Sequence, residues 1–166
     1  LNTTTLHALQ AFPERLQAFY EAIPAGYENW APPSWDGVPS EKFTPIEQIC
    51  HVRDVEIDGY HERFRRALDE TNPFLANLDG YRLARERGYV QADATDVFAA
   101  FHAARAKTLD LLSTFGVSEY LRPTVFEDLG AVNVRGLVHL LCSHDQQHLA
   151  GLQWLLARIE TERTHG

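Results

Sequence analysis

Two histidines one helical turn apart, His144 and His148, have the spacing in this sequence best suited to chemistry. At about 100° per residue, Leu137 and Leu155 mark the centre of an apolar stripe, and both histidines fall within roughly 20° of it. Imidazoles at i and i+4 leave a helix on the same side, so two that face a core can ligate one divalent metal ion. The competing reading is a pair of hydrogen-bonded core histidines. Metal ligation is favoured because two such rings repel if charged and each needs a partner if neutral. Gly151 lies roughly 40° from the same line, and its missing side chain is expected to leave room beside the ligands for water or substrate.

A third histidine, His51, has two readings. It falls off the apolar stripe of Ile46, Ile57 and Phe64, on a polar strip with Glu47, Asp54, Asp58 and Glu62. Spacing alone makes it exposed; the functional alternative is that the strip borders a cavity and supplies a third ligand, with carboxylates to support it. Asp54, Asp58 and Asp145 are candidate supporting or acid/base groups, each equally well read as a solvated carboxylate. Cys50 and Cys142 do not share the histidine faces and read as small core residues. His61, His102 and His139 point elsewhere on their helices.

The elements that must position these residues are helices. A first helix is expected from Thr3 to Thr5, which offer capping hydroxyls, to Ile23, interrupted or kinked at Pro13. The proline- and glycine-rich stretch from Pro24 to Phe43 reads as a long surface connection. Thr44-Pro45-Ile46-Glu47 starts a second helix with a capping box and a proline at the first helical position, and Asn72-Pro73 stops it. Residues 73–92 lack a sustained period. A third helix follows from Ala94 to Phe115, with Gly116 as its expected C-terminal cap. A tight hairpin is possible between Arg122 and Val134, and the last helix runs from about Asn133 to Glu162. The sum is an all-α, four-helix bundle forming one domain over residues 1–166, with a long crossover between helices 2 and 3.

A formal charge of −8 and a pI near 5.4 argue against a nucleic-acid partner. The dense basic run at Arg63, Arg65 and Arg66 is interleaved with acids and reads as a solvated helix face. No apolar run reaches about 18 residues, so no membrane association is expected. Two cysteines outside any C-x-x-C pair fit a cytoplasmic protein, and a homodimer is a further expectation.

The stretch FTPIEQICHVRD from Phe43 to Asp54 and the stretch SHDQQHL from Ser143 to Leu149 resemble the two signature segments of the DinB-like superfamily. Asn72-Pro73-Phe74, Asp79, Tyr89, Asp93 and Arg105 match the middle of the pattern, so the resemblance covers nearly the whole chain. It departs at Phe43, where the family usually has tryptophan, a change expected to alter packing more than chemistry. The resemblance implies a four-helix bundle with a long crossover and a metal ion, zinc or nickel foremost, held by His51, His144 and His148. It also implies a small-molecule substrate and a metal-dependent reaction, either hydrolysis or S-transfer with a low-molecular-weight thiol as cosubstrate. The alternative is a metal-binding or stress-response module without turnover. A ferritin-like oxidase ranks last, because only Asp145 to His148 approximates its Glu-x-x-His motif.

Overall fold

The computed structural model describes residues 2–165. Helix α1 spans Thr3–Glu21 and keeps Pro13 within it. Its cap is Asn2 rather than a threonine: the Asn2 carboxamide accepts a hydrogen bond from the Thr5 amide at 2.8 Å. Helix α2, Pro45–Asp54, begins at the expected capping box, in which Glu47 accepts from the Thr44 amide at 2.9 Å. It runs without a break through a π-helical turn, Val55–Tyr60, into α3, His61–Asp69. That turn adds a residue to the helical register and shifts the phase of the apolar side. Ile57, expected on the buried stripe, is 39% exposed, whereas Glu56 is buried.

The crossover is more ordered than its sequence suggests. It holds a two-residue strand β1, Phe74–Leu75, a short helix α4, Gly80–Arg87, capped by Asp79, and a 3₁₀ turn, Tyr89–Gln91. Helix α5, Ala94–Ser113, is capped by Asp93 and ends at Thr114. Gly116 instead opens the short helix α6, Val117–Tyr120. The expected hairpin forms from β2, Pro123–Phe126, and β3, Gly130–Asn133, paired antiparallel, and β1 adds to β2 in parallel. Helix α7, Val134–His165, completes the bundle of four long helices, α1, α2 to α3, α5 and α7. The chain is therefore mostly helical with one small sheet. No helix among the described residues is long and apolar enough to cross a membrane.

The core has two halves. One gathers Phe12, Leu16, Ile49, Phe101, Leu152 and Leu155; the other gathers Leu9, Phe64, Leu112, Leu137 and Leu141. Between them along the helices lies a charged layer. Arg105 of α5 donates to both carboxylate oxygens of Glu56, each at 3.0 Å, to both of Asp145, at 2.8 and 3.0 Å, and to the Leu9 carbonyl at 3.0 Å. Phe12 and Phe101 flank the guanidinium. Asp145 is thus buried and ion-paired, not solvated, because the last helix turns it towards Arg105.

Removing one member of such a cluster leaves buried charge without a partner. Arg105→Met is expected to lower the unfolding free energy by about 3–5 kcal/mol. Arg65→Met, which breaks only exposed pairs with Glu62 and Asp69, should cost far less, because solvent screens such pairs. Urea denaturation of both variants measures the contrast, and equal losses would contradict the assigned role of the layer.

Candidate metal centre

The three histidines converge. His51 from α2 and His144 and His148 from α7 each offer a ring nitrogen, and these atoms lie within 4.8 Å of one another. His51 Nε2 and His144 Nε2 are 3.3 Å apart. His148 is fully buried and His51 is 3% exposed, while His144 meets solvent at one edge. The exposed reading of His51 is corrected here. Spacing assumed a single buried face, but α2 packs against α1, α5, α7 and α4, so almost all of its circumference is covered.

Each ring is oriented by neighbours. The Gln48 side-chain nitrogen donates to Ser40 Oγ at 2.8 Å and to the Phe43 carbonyl at 3.3 Å. That leaves the Gln48 oxygen to accept from His148 Nδ1 at 2.5 Å. With its proton on Nδ1, His148 presents an Nε2 lone pair to the site. His51 packs against Phe43, whose ring centroid is 5.1 Å away, and against Gly80 at the start of α4. A Cβ at Gly80 would stand 2.7 Å from His51 Cε1 and Nδ1, so a glycine is required for this approach. Phe43, in the position of the expected tryptophan, therefore packs directly on a candidate ligand. Gly151 does not leave open space: a Cβ there would overlap Ser40, which occupies the gap and anchors Gln48.

A fourth group, Glu41, enters from the connection between α1 and α2. Its Oε2 lies 3.2 Å from His148 Nε2 and its Oε1 3.8 Å from His51 Nε2. Glu41 Oε2 and His148 Nε2 are both buried and neither has a hydrogen-bond partner. Burial pushes the Glu41 carboxyl up, but the adjoining His148 and His51 outweigh it and hold it at about 2. Burial pushes the His51 imidazole down to about 4, reinforced by His148 and partly offset by Glu41 and Asp54. His144 is also lowered, by burial first and then by His148, His51, Arg63 and Arg105.

The carboxylates singled out in the sequence serve other partners. Asp54 is buried, accepting from Tyr89 at 2.5 Å and Arg53 at 2.7 Å and pairing with Arg87 at 2.8 Å. Asp58 pairs with Arg87 at 2.6 Å, and Asp145 with Arg105. Both aspartates of the second helix therefore secure it to α4 and the 3₁₀ turn. His61 bonds to the Ala104 carbonyl, His102 to Gln17 and His139 to Thr5, away from the cluster. Cys50 is buried in the core, and Cys142 packs beside it.

A cavity of about 370 Å³ opens over Glu41, His51, His144, Tyr60, Arg63 and Phe126. The second helix faces it through Tyr60 and Arg63, not through the strip of Asp54, Asp58 and Glu62. Glu41, Gln48 and Gly80 are site residues that sequence patterns did not single out. Only Gln48 carries a signal, since it lies three residues before His51 on the same helix.

The metal-free protein is expected to lose stability as pH falls from about 6.5 to about 4. An unfolded His51 protonates near 6.5 and the folded one near 4, so the unfolded chain takes up more protons across that window. The His51 contribution is at most about 3 kcal/mol. Its measure is the difference between wild type and His51→Gln in unfolding free energy at pH 7.5, 6 and 5. A difference that does not change with pH would contradict the assignment.

A family model described as the DinB superfamily matches residues 8–152. No curated protein matches the chain. A solved structure, YfiT from Bacillus subtilis, superposes with a TM-score of 0.80, covering 96% of this chain and 90% of that one at 17% sequence identity. That protein is described as a probable metal-dependent hydrolase with an unusual four-helix bundle topology. At this identity the likeness is one of fold.

Proposed function

The chain belongs to the DinB superfamily, and from that premise we propose that it is a metal-dependent hydrolase of small molecules, with His51, His144 and His148 as the ligands of one divalent ion. The observation that carries this reading is the pair of orphaned buried atoms, His148 Nε2 and Glu41 Oε2, set beside the close His51 and His144 nitrogens. Unpartnered buried polar atoms are costly. A single cation among the three nitrogens would satisfy them together and give the Glu41 carboxylate beside them a counter-charge. Three imidazoles with one further position are the donor set of catalytic rather than closed structural sites, and they suit zinc or nickel over magnesium or calcium.

An ion held there supplies Lewis acidity and lowers the pKa of a water or thiol nucleophile. The chain's own residues do the rest. Gln48 holds His148 in the tautomer that turns Nε2 inward, and Phe43 and Gly80 fix the plane of the His51 ring. Glu41, kept ionised, brings the negative charge that three neutral imidazoles lack and accepts a hydrogen bond from the nucleophile's proton. Tyr60 and Phe126 wall the cavity where a substrate lies. The structurally similar protein described as a probable metal-dependent hydrolase supports hydrolysis as the reaction; a thiol as nucleophile would use the same groups.

Isothermal titration of zinc and nickel into metal-free protein tests the ligand set. Alanine at His51, His144 or His148 is expected to weaken binding by more than about a hundredfold, beyond the loss usual for a supporting residue. Alanine at His61, His102 or His139 should leave it unchanged. Unaltered binding by His51→Ala would remove the third ligand. An ester, amide and thiol-transfer screen then reads the reaction. Turnover that follows metal occupancy and falls in Glu41→Gln supports hydrolysis, turnover only with added thiol shifts the reaction to S-transfer, and tight binding without turnover of either kind identifies a metal-holding module.

A further inference from the structure

Arg63 is the exception among the arginines of the second helix. Arg53, Arg65 and Arg66 each have a carboxylate partner, as do Arg87 of the crossover and Arg105 of the charged layer. Arg63 is 6% exposed, its Nε is buried without an acceptor, and no carboxylate is paired with it among the described residues. Its guanidinium carbon is 4.8 Å from the Tyr60 ring centroid and 4.8 Å from that of Phe126, so two aromatic faces hold it. One nitrogen, Nη2, donates to the Ala76 carbonyl at 3.1 Å, which ties the group to the strand side of the crossover. The expectation of a solvated basic face fails at this residue because the π turn rotates it inward, next to Tyr60.

Arg63 lines the same cavity as Glu41, His51 and His144. Its charge is felt at His144, where it opposes protonation. A buried guanidinium without a counter-ion costs several kcal/mol of desolvation unless something compensates it. The protein offers no anion for it, yet it fixes the group between two rings with an unused donor.

We propose that Arg63 is the anion-recognition residue of this cavity and that the substrate is a small organic carboxylate, whose acid group pairs with Arg63 while its reacting group lies at the three histidines. The assignment of the reacting end rests on the metal-dependent reading above; the anion site itself rests on Arg63, Tyr60 and Phe126 alone. A carboxylate fits better than a phosphate ester, because Arg63 is the one cationic side chain lining the cavity among the described residues, the ion being taken up by the reacting end, and Glu41 already places a negative charge there. Planar guanidinium and planar carboxylate also match in shape. A cavity of about 370 Å³ limits the ligand to a small molecule.

Calorimetric titration of benzoate, the neutral isostere benzamide, and phenyl phosphate into the zinc-loaded protein tests this. Benzoate should bind roughly ten- to a hundredfold more tightly than benzamide. Arg63→Gln should erase that preference without weakening zinc binding, since it removes a cation that opposes the ion, and Arg63→Lys should retain part of the preference. Equal binding of benzoate and benzamide, or a preference that survives in Arg63→Gln because the ion alone holds the acid, overturns the proposal. Phenyl phosphate binding more tightly than benzoate overturns the carboxylate assignment. The same titrations in metal-free protein separate the two readings: benzoate preference dependent on Arg63 in a protein that takes up no zinc leaves the anion site standing and removes the metal.

Discussion

The fold turns on one buried guanidinium. Arg105 reaches all four long helices, through its own position on α5, Glu56 on the second helix, Asp145 on α7 and the Leu9 carbonyl on α1. Burial works against the cation, yet Asp145 and Glu56 together raise its pKa. Burial also pushes the Asp145 carboxyl up, to about 7, against the pull of Arg105. Two carboxylates around one guanidinium make a layer that pays off only when every lone pair and proton is used, and here Thr108 adds a further donor to Glu56 at 2.5 Å. Such a layer is weak as a source of net stability and strong as a determinant of register, because any helix that slides or rotates strands a charge. Asp145 is the residue after His144. The rotation of α7 that satisfies Arg105 is therefore the rotation that aims His144 and His148.

The same constraint explains the π turn. A regular α-helix through residues 55–60 would carry Ile57 towards the core and Glu56 out of it. With the wider turn, Glu56 reaches Arg105 while His51, one turn earlier, faces α7. Tyr60 and Arg63, just beyond, then point into the cavity. One local widening thus serves three levels of the same helix: candidate ligand, charged layer and cavity wall. π turns are known to mark functional sites in helices, and here the mechanical reason is visible in the residues on either side.

These relations set what could be read from sequence. Capping and turn chemistry is local, so Thr44-Pro45-Ile46-Glu47 and the turn after Phe126 disclose their elements directly. The i, i+4 pair His144 and His148 is equally legible, because its stripe lies on a long, regular helix. His51 is misplaced by spacing, since a periodicity argument needs one wet face and α2 has hardly any. Asp54 looks solvated because Tyr89 and Arg87, which cover it beyond its neighbour Arg53, lie 35 and 33 residues away in the chain, and Asp145 because Arg105 lies 40 residues away. β1 and α4 carry too few residues to show a period. Resemblance to a family locates His51 where periodicity does not, because it records which residues meet across the bundle.

Apart from Gln48 on α2, the remaining site residues come from the two connections, and this has a physical basis. Helices hold ligands well because backbone hydrogen bonds fix their side chains at regular intervals, but the same regularity leaves few directions from which a carboxylate can approach three inward-facing imidazoles. The segment before α2 has no such limit. It lays Ser40 into the space that Gly151 vacates, sends Glu41 over the rings, and packs Phe43 on His51. Next to Phe43, α4 brings Gly80 against the same ring. The bundle positions the nitrogens and, through Gln48, the hydrogen bond that sets a tautomer, while the two connections supply the anion, the Ser40 and Phe43 acceptors that anchor Gln48, and the steric limits on ring rotation. A proline-rich stretch that reads as a surface link is thereby part of the site, and its side chains answer to the geometry of the histidines rather than to any repeat of their own.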